Sequence, residues 1–329
     1  MNNKKIILPF FFLFFLWSCK KKCSEQLDTS KIQIEAKVVH LEKEFSAIKT
    51  PQQAFAFLQK HKLYASYHQD AGIPRDLVLK QLIWLGSPLL DTLKMDVKNQ
   101  FGDFSVQKTS LTELFKNITY FYSDFKQPEV NTLISGFGDY VINDADSLLL
   151  IGLDYFLDST AHYQPHREEM PDYIKRYLNK NTVDTKAAYA LSNRYVQYLP
   201  DQKLINQMIK FGKQYYFMRK VLPCKEEYEL FDYSANDWEE IQSNEYMIYS
   251  YFTKNELFYN TKGENIRLFL SDRPNCVEIG DKCPGRIGRW LGYQIVKSYA
   301  EKTEASLQQL MSETDHIKIF VQSGYKPKK

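Results

Sequence analysis

The chain predicts a mainly helical α+β fold with a small central β-sheet. Three observations carry this. Apolar residues recur at three- and four-residue spacing along most of the chain. Residues 147–153 are instead apolar almost throughout, and prolines at Thr50-Pro51, Ile73-Pro74 and Ser87-Pro88 restart one helix after another. Of 329 residues, 44% are hydrophobic and 15% aromatic, enough to fill a large core. No low-complexity linker and no repeat of about 20–50 residues divides the chain, so one globular domain is expected.

Ile34, Val38, Leu41, Phe45 and Ile48 step by four, three, four and three. That is one stripe of an amphipathic helix, opened by Asp28-Thr29-Ser30. Thr50-Pro51-Gln52-Gln53 reads as an N-cap, a first-turn proline and a glutamine at N3 that reaches back. Further helices are expected over 74–85, 88–100 and 110–125, the last turning Leu111, Leu114, Phe115, Ile118 and Phe121 inward. The pattern changes at Gln127-Pro128. Residues 132–135 and 140–142, parted by Gly136 and Gly138, suit the two strands of a hairpin. Asn143-Asp144-Ala145-Asp146 is a turn, and 147–153 is a strand buried on both faces. Helical spacing then returns over 171–178, 184–198, 201–222, 234–256, 284–302 and 305–312.

The first 18 residues have a different character. Lys4 and Lys5 make a basic head, Ile6 to Trp17 an apolar stretch, and Ser18 a small residue before a cut, which together define an export signal. The apolar run is shorter than the roughly 20 residues a spanning helix needs. Cys19, in Leu16-Trp17-Ser18-Cys19, resembles the lipobox of bacterial lipoproteins. That likeness implies cleavage before Cys19 and acylation of the new terminus, so that lipid holds the protein to a membrane. Residues 19–30, beginning with Lys20, Lys21 and Lys22, are read as the tether, and 31–329 as the globular domain. Loss of Lys4 and Lys5 takes the formal charge from +3 to about +1 (3 − 2). A nearly neutral chain of mixed signs is not expected to bind nucleic acid, which requires phosphate neutralisation.

Four further cysteines remain: Cys23, Cys224, Cys276 and Cys283. Cys276 and Cys283 bracket a short loop containing Gly280 and are the expected disulfide pair of an exported chain. No Cys-x-x-Cys spacing accompanies them, and no metal or other cofactor is expected. Asp139, Asp144 and Asp146 could bind a cation or supply acid–base carboxylates, although local turn bonding is the preferred reading. Asp154 ends the apolar strand and would need a partner if buried. His162 and His166 are four apart with Glu168 and Glu169 beyond, but Pro165 between them breaks a helix. A solvated loop is preferred there, with a metallopeptidase drawing on His162, His166 and Glu168 as the alternative.

The sharpest local pattern runs from Pro284 to Val296. Gly288 and Gly292, four apart, let another backbone approach closely. Arg286 and Arg289 share a face near a helix N-terminus, where the dipole repels cations. They are expected to meet carboxylates, with Asp144, Asp146 or Asp154 as candidates, or else to bind an anion or a partner. No nucleophile elbow, Walker loop, dinucleotide fingerprint or His-Glu-x-x-His is present, so no catalytic residue is assigned.

The lipobox, the segment Asp144–Asp154, the segment Pro284–Val296 and the ending Gly324-Tyr325-Lys326-Pro327-Lys328-Lys329 resemble the gliding motility lipoproteins, GldB, of the Bacteroidota. This resemblance implies an envelope lipoprotein that is not an enzyme. Its expected partners are the membrane, through lipid, and other envelope proteins of the gliding and type IX secretion apparatus. The basic tether implies a domain facing the periplasm, since acidic tethers look like the surface-export signal in that phylum. The family is distantly similar to predicted zinc-dependent proteases, which implies a degenerate zincin-like fold. On that likeness the metal motif would fall at Lys210-Phe211-Gly212-Lys213-Gln214, residues that can neither hold zinc nor activate water. A catalytically dead, peptide-binding relative is therefore the alternative reading.

Overall fold

The computed structural model describes Cys23 and residues 26–137, 141–144, 147–165 and 170–328, with the backbone alone over 141–144. Cys19, Asp139, Asp146, His166, Glu168 and the Asp144 side chain lie outside the described residues. The order is β1 (Val38–His40), α1 (Glu42–Phe45), α2 (Pro51–Lys60), α3 (Lys62–Asp70), α4 (Arg75–Leu85), α5 (Asp91–Phe101) and α6 (Ser105–Phe121). Then come β2 (Glu129–Leu133), β3 (Val141–Asp144), β4 (Leu148–Gly152), α7 (Asp172–Lys175), α8 (Val183–Ser192) and α9 (Leu204–Val221). The rest is helical: α10 (Glu227–Leu230), α11 (Ala235–Ser243), α12 (Glu245–Lys254), α13 (Gly263–Leu270), α14 (Ile287–Thr303), α15 (Leu307–Ser312) and α16 (His316–Ser323). The α+β expectation is met.

Helix α2 begins as its sequence dictates. Thr50 accepts from the Gln53 amide and Gln53 reaches back to the Thr50 amide, closing a capping box around Pro51. The stripe before it behaves differently. Val38 and Val39 are in a strand, and only Glu42–Phe45 is helical, although Leu41, Phe45 and Ile48 are all buried. Two adjacent β-branched residues fit a pleated edge better than a helix, and a neighbouring strand was available to pair with them.

The sheet order is β1-β2-β4-β3. β2 runs parallel to both β1 and β4, while β3 is antiparallel to β4. The expected hairpin between 132–135 and 140–142 is therefore not formed; the hairpin joins β3 to β4. All five residues of β4 are buried. A strand apolar on both faces belongs inside a sheet, where it has a partner along each edge. Just beyond it, Asp154 is 1% exposed and finds the partners it needs. It accepts from the Ser135 amide (2.9 Å), the Ser135 hydroxyl (3.1 Å) and the Phe137 amide (2.7 Å). Burial pushes its carboxyl upward against the pull of these donors.

Helices α9 and α14 cross through glycine. A Cβ on Gly292 would stand 2.0 Å from the Met208 carbonyl oxygen, and one on Gly212 would stand 2.4 Å from the Gly292 carbonyl oxygen. Gly288 lies against Phe269 and Leu270 of α13. The close approach expected from the glycine spacing is thus used on two sides of α14.

The cysteine expectation needs correcting. Cys23 is bonded to Cys224, 201 residues away, while Cys276 and Cys283 are free and buried. The short loop does bring the latter two opposite each other: Asn275 bridges Pro284, and the Cys276 amide donates to the Cys283 carbonyl at 2.7 Å. Spacing alone could not reveal a partner so far off in sequence. The bond also fastens part of the segment read as tether to the helical body. Among the described residues, no helix is long and apolar enough to cross a membrane.

Candidate functional site

A cleft of about 470 Å³ opens at the N-terminal end of α14, walled by α8, α9 and the segment that includes α7. Arg286 and Arg289 both line it, with side chains only 12% and 13% exposed. Their carboxylate partners are Asp232 and Asp272, neither of which was among the candidates. Asp154 is taken by Ser135 and Phe137. Asp232 follows α10 and Asp272 follows α13, so only the folded chain brings them to α14.

The contacts have distinct strengths. Arg286 Nη1 lies 3.3 Å from Asp232 Oδ2, and Nη2 donates to the Asp232 carbonyl at 2.9 Å. Lys186 of α8 pairs with the same Oδ2, leaving Oδ1 of Asp232 buried without a partner. Asp272, about half exposed, sits farther out, 3.5 Å from Arg286 Nε and 3.6 Å from Arg289 Nη2. Arg289 Nε is held instead by the Leu270 carbonyl, and its guanidinium lies 4.5 Å above the Phe211 ring.

Tyrosines complete the walls. Tyr215 stacks on Phe231 at 4.0 Å, and the buried Tyr233 hydroxyl donates to the Gly285 carbonyl at 2.7 Å, fixing the backbone just before Arg286. The Tyr177 hydroxyl is sealed from solvent with no partner, and burial pushes it up to about 12. Arg286 (φ 62°) and Asp232 (φ 54°) both occupy the left-handed region. Side-chain-bearing residues held there cost of order 1–3 kcal/mol each, and such strain clusters at ligand clamps and active sites.

Helix α9 lines the cleft with Tyr215 and Met218, while its Lys210–Gln214 stretch is engaged elsewhere. Lys213, 0% exposed, donates through Nζ to the carbonyls of Gln197 (2.7 Å) and Glu313 (2.8 Å). Burial draws its amine down to about 7, and a neutral amine has the two hydrogens these two carbonyls require. Gln214 donates to Asn193 at 2.9 Å, and Lys210 lies 4.0 Å over the Tyr198 ring. Each polar side chain of the Lys210–Gln214 stretch therefore has a structural occupation.

His162 is mostly exposed and meets Asp96 at 2.9 Å. Burial works against the Asp96 carboxylate, but bonds from His162 and Tyr163 hold it below its ordinary range. Among the described residues, no three His, Cys, Asp or Glu side chains gather as a metal site. A second hollow, about 560 Å³, lies at the carboxyl ends of the parallel strands. There His40 Nδ1 is 3.0 Å from both Glu42 and Thr132, and Thr132 donates to Glu42 at 2.8 Å. This trio escaped sequence reasoning, since its members are up to 92 residues apart and two of them fell in the segment read as helix.

The architecture is thus a helix-dominated α+β domain with an ion-walled, tyrosine-lined cleft at a helix head. The model of the family described as gliding motility protein GldB matches residues 22–327, and the chain belongs to that family of gliding-motility lipoproteins. No curated protein and no solved structure matches it.

Proposed function

We propose that the protein is a lipid-anchored envelope component of the gliding and type IX secretion apparatus that works by protein contact and not by turnover. Family membership over residues 22–327 supports the setting. The state of α9 carries the non-catalytic part of the reading. Lys213 and Gln214 are committed to holding Gln197, Glu313 and Asn193 in place, and Phe211 supports Arg289. A helix so occupied is a strut. The lipid is assigned to Cys19 and the globular domain to the periplasmic side.

Deletion of the gene should abolish spreading or type IX secretion, and a Cys19→Ser copy should fail to restore it. A deletion strain that spreads and secretes normally overturns the reading. Stoichiometric zinc in the purified protein, lost together with a peptidase activity, overturns its non-catalytic half.

A further inference from the structure

The geometry points to a ligand for the cleft: the carboxyl-terminal residue of a peptide, with its carboxylate on Arg289 and its own amide N–H on Asp232. This deepens the contact role proposed above and rests on it. Charge is the first argument. Among the described residues, Lys186, Arg286 and Arg289 line the cleft against Asp232 and Asp272, which leaves one positive charge in excess. A monoanion balances that set, whereas a dianion overshoots it and meets two carboxylates.

Arg289 is presented for such a guest. Its Nε is fixed on Leu270 and its plane rests on Phe211, while its nearest carboxylate, Asp272, stays at 3.6 Å. A planar guanidinium held at the back, with its outer nitrogens loosely engaged, matches the fork of a carboxylate. Asp272 is half exposed and shared at 3.5 and 3.6 Å by both arginines, so it stands where an incoming carboxylate would and yields readily.

Two unmet hydrogen-bonding groups define the rest of the guest. Asp232 Oδ1 is a buried acceptor without a donor, and the Tyr177 hydroxyl is a buried group without a partner. Buried polar atoms are ordinarily satisfied, and an exception in a strained cleft calls for an explanation. Both atoms are covered as the cleft stands, so the guest reaches them only as the side chains over them give way; a terminal residue then answers both, with an N–H for Asp232 and a carboxylate oxygen for Tyr177. Ile174, Leu178 and Met218 offer apolar wall to its side chain. Capture of a chain end by fixed donors is a recurrent recognition mode.

Calorimetric titration of the full mature chain in detergent tests this with N-acetyl-leucine, N-acetyl-leucinamide, 4-methylpentanoate and N-acetyl-Ala-Ala-Leu. The free acid should bind at least tenfold more tightly than its amide, and 4-methylpentanoate, which lacks the N–H, severalfold more weakly than N-acetyl-leucine. The tripeptide should bind at least as well as N-acetyl-leucine. Arg289→Ala should cut affinity at least tenfold. Asp272→Asn, on the exposed rim, should raise it severalfold, a gain that a merely structural role would not give. Acid and amide binding alike, no binding at millimolar concentration, exclusion of the tripeptide, or an unchanged Asp272→Asn overturns the proposal. These titrations fail independently of the deletion phenotype, which alone bears on the role in motility.

Discussion

Helix α14 meets the protein in two ways. Along its middle, Gly292 lies against the Met208 carbonyl and Gly212 of α9, with no room for even a methyl group. At its head, Arg286 and Arg289 face a cleft of about 470 Å³, bordered by a half-exposed aspartate. The crossing is backbone against backbone, so nothing there can rotate aside. The head is side chain against side chain, with unfilled hydrogen-bonding capacity and two residues in left-handed conformation. Rigidity in the first region is what lets the second hold charged groups in strained positions.

The largest effect expected belongs to the crossing. Gly292→Ala should cost about 3 kcal/mol, since overpacking a close contact costs about 1–3 kcal/mol and the obstacle here is backbone. At an open helical position the same change would instead gain about 1 kcal/mol. Urea unfolding therefore reads the sign directly, and a stabilised Gly292→Ala would remove the contrast between the two regions.

Lys213 gives the next effect, through pH. Its folded pKa, about 7, lies below the ordinary 10.5. Such a group contributes stability that is present above the unfolded value and lost as pH falls through the folded one. Stability of the wild type, taken relative to Lys213→Met, should therefore rise from pH 6 to pH 9, with a slope of at most about 1.4 kcal/mol per pH unit. A flat difference would mean that the lysine is charged or solvated.

Around the cleft the effects are smaller. Tyr233→Phe removes the bond to Gly285 and should cost about 1 kcal/mol in thermal or urea unfolding. Asp272→Asn should change stability by less than about 1 kcal/mol, as exposed ion pairs do. A larger loss there would make the rim aspartate a structural brace, closer in kind to the crossing.

Much of the crossing was legible in the sequence, because glycine four residues from glycine within an apolar helix has a local geometric meaning. The same holds for the Thr50 capping box and for β4, whose unbroken apolar run required a central place. What could not be read was long-range pairing. Val38 belongs to a helical stripe in sequence, and only the edge of β2 drew it and Val39 into a strand. Arg286 and Arg289 announced a need for carboxylates, but Asp232 and Asp272 reach them through loops that carry no signal of their own. Lys213 stood in the stretch likened to a lost metal motif, and nothing local in the sequence showed that packing would close over it. The Cys23–Cys224 bond was hidden for the same reason: Cys224 carries no mark of a partner near the far end of the chain.

On the lipid anchor proposed for Cys19, that bond shortens the leash. From Cys19 to Cys23 the chain advances four residues, which can span at most about 14 Å fully extended. With Cys19 acylated, the disulfide adds 5.4 Å between Cα atoms, so the loop just past the end of α9 would be moored within about 20 Å of the headgroups. Were the free segment to run to residue 30, it could drift about twice as far. A body on so short a mooring cannot go looking for distant partners. Reducing the disulfide would then lengthen the reach of the domain from the bilayer.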